Sequence, residues 1–276
     1  MERIQTAIAK ARAARGDKGG SGGRMPSPFA ADRPLAPEQV AEAWQALSEV
    51  APSPHHFSRH HVVAGRGGKE SAPFDVMRTK LLHQMRAQGW RRVAITSPGA
   101  GCGKSTIALN LALSLARQPE LRILLVELDL RRPSLARMLG LTDGHNFAEV
   151  LRDSAVFEDH AVRIGANLAI ATNRQPVRNP SELLQGASVP GALAGIEAHY
   201  APDVVIFDLP PLLVSDDTLA VADLVDCALL IAAAESTSAQ EVDLCERELA
   251  ERTNVLGVVL NKCRYMESGY GYSHYG

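Results

Sequence analysis

The chain has 276 residues, 46% of them apolar and 22% charged, the balance of a soluble globular protein with room for one large α/β domain. Lys and Arg total 29 against 31 Asp and Glu, a net charge of −2, which excludes a chain that coats nucleic acid through bulk charge. Apolar runs break well before the ~18 residues of a membrane span, the N-terminus lacks an apolar signal core, and Cys102, Cys227, Cys245 and Cys263 form no C-x-x-C pair, so a reduced cytoplasmic protein is expected.

Ile4, Ala7, Ile8 and Ala11 recur at helical spacing among basic residues, which predicts a short amphipathic helix over 1–16. A Gly-, Ser- and Pro-rich linker follows over 16–36. Pro37 opens a helix, PEQVAEAWQALSEV, that Pro52 closes. HHFSRHH at 55–61 reads as a solvated cationic stretch, since no carboxylate or cysteine lies near enough to complete a metal site. From residue 61 the pattern is regular. HVVAG, RRVAITS, RILLVEL, NLAIAT, DVVIFDL, DCALLIAA and VLGVVL read as strands. PFDVMRTKLLHQMRA, KSTIALNLALSLARQ, PSLARML, SVPGALAGIEAHY, SDDTLAVADL and SAQEVDLCERELAERT read as helices. Near-continuous apolar strands alternating with helices predict an α/β fold, a mostly parallel sheet covered on both faces. The expected organisation is an N-terminal segment over 1–60, a P-loop domain over 61–264 and a mobile tail over 265–276.

RRVAITS runs into Pro98-Gly99-Ala100-Gly101-Cys102-Gly103-Lys104-Ser105-Thr106 and then a helix, the strand–loop–helix context a P-loop requires. Glycines let backbone N–H groups converge on phosphate oxygens, and the helix start adds its positive dipole end. Lys104 is placed to reach the β- and γ-phosphates of ATP or ADP, and the Ser105 hydroxyl to hold Mg2+. Pro98 stands where the full P-loop pattern has its first glycine. Acids for the metal belong at the C-terminal ends of neighbouring strands. Two strands supply them, one ending in Glu127-Leu128-Asp129 and the other in Asp208. Alternation puts Glu127 and Asp129 on one side of their strand, so both are expected to face one pocket.

Thr96-Ser97, then G-x-G-K-S-T, then E-L-D-L-R-R-P-S-L, then F-D-L-P-P and a Tyr-rich tail resemble the bacterial tyrosine kinases of capsule and exopolysaccharide synthesis, which share a fold with the MinD/ParA-type ATPases. The resemblance implies an ATP- and Mg2+-dependent protein-tyrosine autokinase that regulates polysaccharide polymerisation and export. It makes Lys104 and Ser105 the Walker-A lysine and metal-binding hydroxyl. Glu127 and Asp129 become the paired acids, with Glu127 accepting or orienting the tyrosine proton, and Asp208 the Walker-B acid. Ser105, Asp129 and Asp208 hold Mg2+, and Arg131 and Arg132 match the basic pair after the second acid. Asn261 matches a position where related ATPases meet adenine; as a residue it reads equally well as a strand-end turn. Asp216 and Asp217 follow the Walker-B strand and read either as assisting in the site or, for Asp217, as the start of the next helix. Glu127 replaces the family's usual Asp. The family's self-association helix carries E-x-x-R-x-x-R, and here Ala72, Asp75 and Arg78 stand at those positions. The implied partners are further copies of the chain and a membrane-embedded chain-length regulator that recruits it to the inner face of the membrane. No nucleic-acid partner and no span of its own are expected. The alternatives are a MinD/ParA-like nucleotide switch and a non-catalytic scaffold of a polysaccharide assembly.

Four of the five tyrosines, Tyr265, Tyr270, Tyr272 and Tyr275, lie in the last twelve residues, in a segment too polar and Gly-rich to pack. They are the expected phospho-acceptors.

Overall fold

The computed structural model describes residues 36–142 and 144–264. The N-terminal helix, the linker and the tyrosine tail expected from sequence lie outside the described residues. In chain order come α1 (Pro37–Ala46), β1 (Ser48–Glu49), α2 (Pro54–Arg59), α3 (Ala72–Gln88), β2 (Arg92–Thr96) and α4 (Lys104–Ala116). Then follow β3 (Ile123–Glu127), α5 (Leu135–Leu139), α6 (Phe147–Leu151), β4 (Ala161–Ile164), β5 (Leu168–Ala171) and α7 (Pro180–Leu184). Last are α8 (Ser188–Tyr200), β6 (Val204–Asp208), α9 (Asp217–Val221), β7 (Cys227–Ala233), α10 (Ala239–Ala250) and β8 (Asn254–Asn261).

The strands form one sheet in the order β1-β4-β5-β3-β6-β2-β7-β8. Every pairing is parallel except β4 with β5. β3, β5, β6 and β7 are buried throughout, because helices cover the sheet on both faces and leave two apolar layers. α4 is apolar nearly all round and is sandwiched accordingly. α10 is opened by a capping box in which the Ser238 hydroxyl accepts from Glu241 N and the Glu241 carboxylate accepts from Ser238 N.

Several expectations needed correction. The first helix ends at Ala46, and Ser48–Glu49 pairs with Val162 and Arg163 at the sheet edge. A two-residue strand has no periodicity to read. The N-terminal boundary expected at 60/61 is not a break in packing. Val40 and Trp44 of α1 are buried, and the Trp44 indole N–H donates to Tyr200 O at 2.7 Å. HHFSRHH stays exposed or half-exposed, as expected, but it is not irregular. Most of it forms α2, capped by the Ser53 hydroxyl, and His56 Nε2 lies 2.6 Å from the Arg137 carbonyl. HVVAG is not a strand. The amides of Val63 and Ala64, which a ladder would use, donate to Asn110 Oδ1 at 2.8 and 3.0 Å. β4 was missed, because AVRI and NLAIA form a hairpin turned by Gly165 at φ 62°. α6 and α7 are single short helices with too few turns for a periodic signal.

Asn110, fully buried on α4, also donates to His61 O and Thr106 O at 3.0 and 2.9 Å. Asn110→Ala would strand two backbone N–H groups in the core. A loss of about 2–4 kcal/mol is expected in urea unfolding; a change below about 0.5 kcal/mol would show that this strap is idle.

Candidate active site

The site is built where β2, β3 and β6 end. β2 stops at Thr96 and α4 starts at Lys104, so residues 97–103 turn between a buried strand and a helix N-terminus. The Ser97 hydroxyl donates to Gly99 O at 2.7 Å and the Cys102 thiol to the same carbonyl at 3.3 Å. Gly101 and Gly103 sit at φ 79° and 94°, which L side chains avoid, and a Cβ on Gly103 would also collide with the Asn261 amide. That amide, at the end of β8, donates to Cys102 O at 2.8 Å. Asn261 thus straps the loop from the side. Gly99, Ala100, Gly101, Cys102 and Gly103 form the loop, and Thr106 lies in the first turn of the helix. Pro98, at the missing glycine's place, has its carbonyl bound by Leu213 N at 3.2 Å, which ties the loop to the segment after β6.

Lys104 is buried, and its Nζ lies 2.9 Å from Asp129 Oδ2. Burial works against its charge, but Asp208 and Asp129 outweigh burial and hold its pKa above the ordinary lysine value. Asp208 is fully buried, aligned with Ile95 of β2 and Glu127 of β3. Its backbone carbonyl accepts from Leu128 N and Asp129 N at 2.9 and 3.0 Å, which brings the two acid-bearing segments together. Burial pushes the Asp208 carboxyl up to about 6, chiefly against the pull of the Lys104 charge. Neither of its oxygens has a hydrogen-bond partner among the described residues. A buried carboxylate left bare in this way is costly unless something binds it.

That bare carboxylate, with Ser105 and Asp129 beside it, is an all-oxygen donor set suited to a hard divalent cation. Among the described residues no group of three or more His, Cys, Asp or Glu is placed to hold a metal ion, and the set here has two carboxylates and a hydroxyl. The sparse set matches Mg2+, which is commonly held by one or two carboxylates together with a nucleotide's phosphates.

Glu127 departs from expectation. It is fully buried, but its carboxylate does not face the phosphate loop as a free acid. Oε1 accepts from Ser134 N at 2.5 Å and Leu135 N at 2.7 Å, and Oε2 accepts from Asn173 N at 2.8 Å. Alternation predicted the side of the strand but not the reach of a longer side chain into the next loop. Burial pushes this carboxyl up to about 8 against the pull of three backbone donors. Asn173 was missed. Its amide also donates to Glu127 O at 3.2 Å and its oxygen accepts from Ala148 N at 3.0 Å; in sequence it is one of a polar run, Thr172 to Gln175, with nothing to single it out. Arg132 is exposed, with its backbone N–H on Asp129 Oδ1 at 3.1 Å. Tyr200 is buried, and its hydroxyl donates to Glu158 at 2.6 Å, so it is packing and not an accessible acceptor.

A family model described as ParA, NUBPL iron-transfer P-loop NTPase, matches residues 90–274. Tyrosine-protein kinase YwqD of Bacillus subtilis is 30% identical over 206 residues, covering 73% of this chain and 85% of that protein. The chain belongs to the bacterial protein-tyrosine kinases, within the ParA-like P-loop NTPases. Putative tyrosine-protein kinase EpsB of Ralstonia nicotianae is 31% identical over 204 residues, which cover 72% of this chain but only 27% of that longer relative. The crystal structure of the VpsO kinase domain superposes with a TM-score of 0.61 at 28% identity, covering 70% of this chain and 96% of that one. As a family member this kinase is a nucleotide-binding phosphotransferase acting on tyrosine. Among its described residues no helix is long and apolar enough to cross a membrane.

Proposed function

We propose that this kinase transfers the γ-phosphate of ATP to Tyr265, Tyr270, Tyr272 and Tyr275 of a second copy of itself. The observation that carries the reading is the Lys104–Asp129 pair beside the bare, buried Asp208 carboxylate, at the foot of a P-loop. The loop amides and Lys104 hold the phosphates, and Asn261 keeps the loop in shape. Ser105, Asp129 and Asp208 would hold Mg2+, which would neutralise the charge that develops on the phosphates during transfer. The tyrosine oxygen bonds to the γ-phosphorus as the bond to the bridging oxygen breaks, and ADP leaves. The phenolic proton passes to a carboxylate. Glu127 does not take this role, because its carboxylate is bound to three backbone N–H groups.

The self-association helix is altered in a way that bears on assembly. Asp75 Oδ1 accepts from the Ser114 hydroxyl and from Arg117, both at 2.7 Å, and Arg78 donates to Ser114 O at 2.8 Å. These side chains hold α3 to α4 of the same subunit, so self-association is proposed to be weak and to need a membrane-embedded chain-length regulator at the inner face of the membrane. Control of exopolysaccharide polymerisation and export is the proposed output. The test is an anti-phosphotyrosine blot of purified protein with ATP and Mg2+, alongside light scattering. Phosphotyrosine that appears with ATP supports the autokinase. ATP-dependent dimers without phosphotyrosine would favour a nucleotide switch, the alternative that the ParA match keeps in view.

A further inference from the structure

Arg131 lies just past Asp129, and Asp217 lies past Asp208 at the start of α9; the structure joins them. Asp217 is 0% exposed. Arg131 Nε donates to Asp217 Oδ2 at 2.6 Å and Nη2 to Oδ1 at 3.0 Å, a two-pronged contact. Ser181 on α7 accepts from the same Nη2 at 2.9 Å, and its hydroxyl reaches Asp216 Oδ1 at 2.8 Å and Asp217 Oδ1. One guanidinium therefore ties together the segments that follow β3, β5 and β6. Burial alone would raise the Asp217 carboxyl, but Arg131 and Ser181 hold it below the ordinary aspartate value.

We infer that Asp217 is a positioning residue for the nucleotide–metal site: by clasping Arg131 it fixes the segment that bears Asp129 against the strand end that bears Asp208. The inference rests on the metal-binding part of the proposed function. The link from clasp to site is short. Arg132 N donates to Asp129 Oδ1, and Val177 N donates to Leu130 O at 2.9 Å, so the backbone on both sides of Leu130 moves with the clasp. Mg2+ demands near-octahedral oxygens at about 2.0–2.1 Å, so a loosened Asp129 loses metal affinity first. The phosphate cradle of residues 99–106 is built on β2 and α4 and does not pass through Arg131.

The experiment is calorimetric titration of ADP, with and without Mg2+, into wild type, Asp217→Asn, Arg131→Gln and the double variant. ADP affinity without metal is expected to stay within about twofold. The gain on adding Mg2+ is expected to shrink about tenfold in each single variant, the scale of lost second-layer support around a metal, and no further in the double. Arg131→Gln leaves the buried Asp217 carboxylate unpaired, so a melt accompanies each titration, and Arg131→Lys, which keeps the charge but loses the two-pronged contact, keeps the test open if the other variants fail to fold. A folded Arg131→Gln that keeps the wild-type gain overturns the inference, as does a double variant whose loss is the product of the two singles. Merely structural damage would lower both affinities together. A metal-dependent gain that both variants lose supports the clasp even if wild type forms no phosphotyrosine, a result that would count against the kinase reading alone.

Discussion

Lys104→Met is expected to weaken ADP–Mg2+ binding about 100-fold and to abolish phosphotransfer. The ammonium supplies charge-assisted hydrogen bonds to phosphate, worth about 1.5–3 kcal/mol each, and methionine fills its space without its charge. A second loss adds to the first. Lys104 is the cation that holds the Asp208 carboxyl to about 6 against the upward push of burial. Without it Asp208 moves further up, takes a proton near neutral pH and gives up the metal. Calorimetry should therefore show both the ADP affinity and its Mg2+ dependence falling. Removing one partner of a buried pair also costs about 3–5 kcal/mol of stability, so a melt must accompany the titration. Equal ADP affinity in a folded Lys104→Met would remove the phosphate site.

Glu127 gives the second large effect, and the order of two variants decides its role. A proton-accepting Glu127 would survive replacement by Asp and fail as Gln. The structure predicts the reverse. Glu127→Gln keeps the length and leaves one acceptor for Ser134 N and Leu135 N, with about 1–2 kcal/mol lost where the amide meets Asn173 N. Glu127→Asp is one methylene short of all three donors, so it should cost about 2–4 kcal/mol and loosen the segment bearing Asp129 and Arg131. A pH trend follows. Glu127 has its folded pKa raised to about 8 from an ordinary value of 4.5. Between those values the folded state holds more protons than the unfolded chain, so stability falls as pH rises through that window and levels off above it. Glu127→Gln should flatten this slope in denaturant titrations read at several pH values. An active Glu127→Asp beside an inactive, well-folded Glu127→Gln would return Glu127 to the chemistry.

What the sequence made legible follows the same physics. Long apolar strands between helices predicted the central sheet, because burial on both faces leaves one strong signal. The P-loop, Asp129 and Asp208 stood out as candidates because such chemistry needs fixed spacings at strand ends, and the structure brings them together. Features built from distant partners were not readable. Asn110 looks like one polar residue in an apolar helix, yet it strands HVVAG outside the sheet. Asn261 looked equally like an adenine contact or a turn, and nothing in the sequence shows that its amide holds the P-loop carbonyl at Cys102. Asp217 read as a helix start and is one, but its meeting with Arg131 depends on β3 and β6 being neighbours in the sheet. Glu127 was misread because alternation gives a side of a strand and says nothing of which donors wait there.

The central claim is transfer of phosphate from ATP to the tail. Trypsin cleaves after Arg264, so a single peptide, residues 265–276, carries Tyr265, Tyr270, Tyr272 and Tyr275 together. Mass spectrometry of that peptide, after incubation with ATP and Mg2+, should show phosphate on one or more of the four in wild type and none in Lys104→Met. A wild type that binds ADP–Mg2+ tightly and leaves this peptide unmodified would contradict the account.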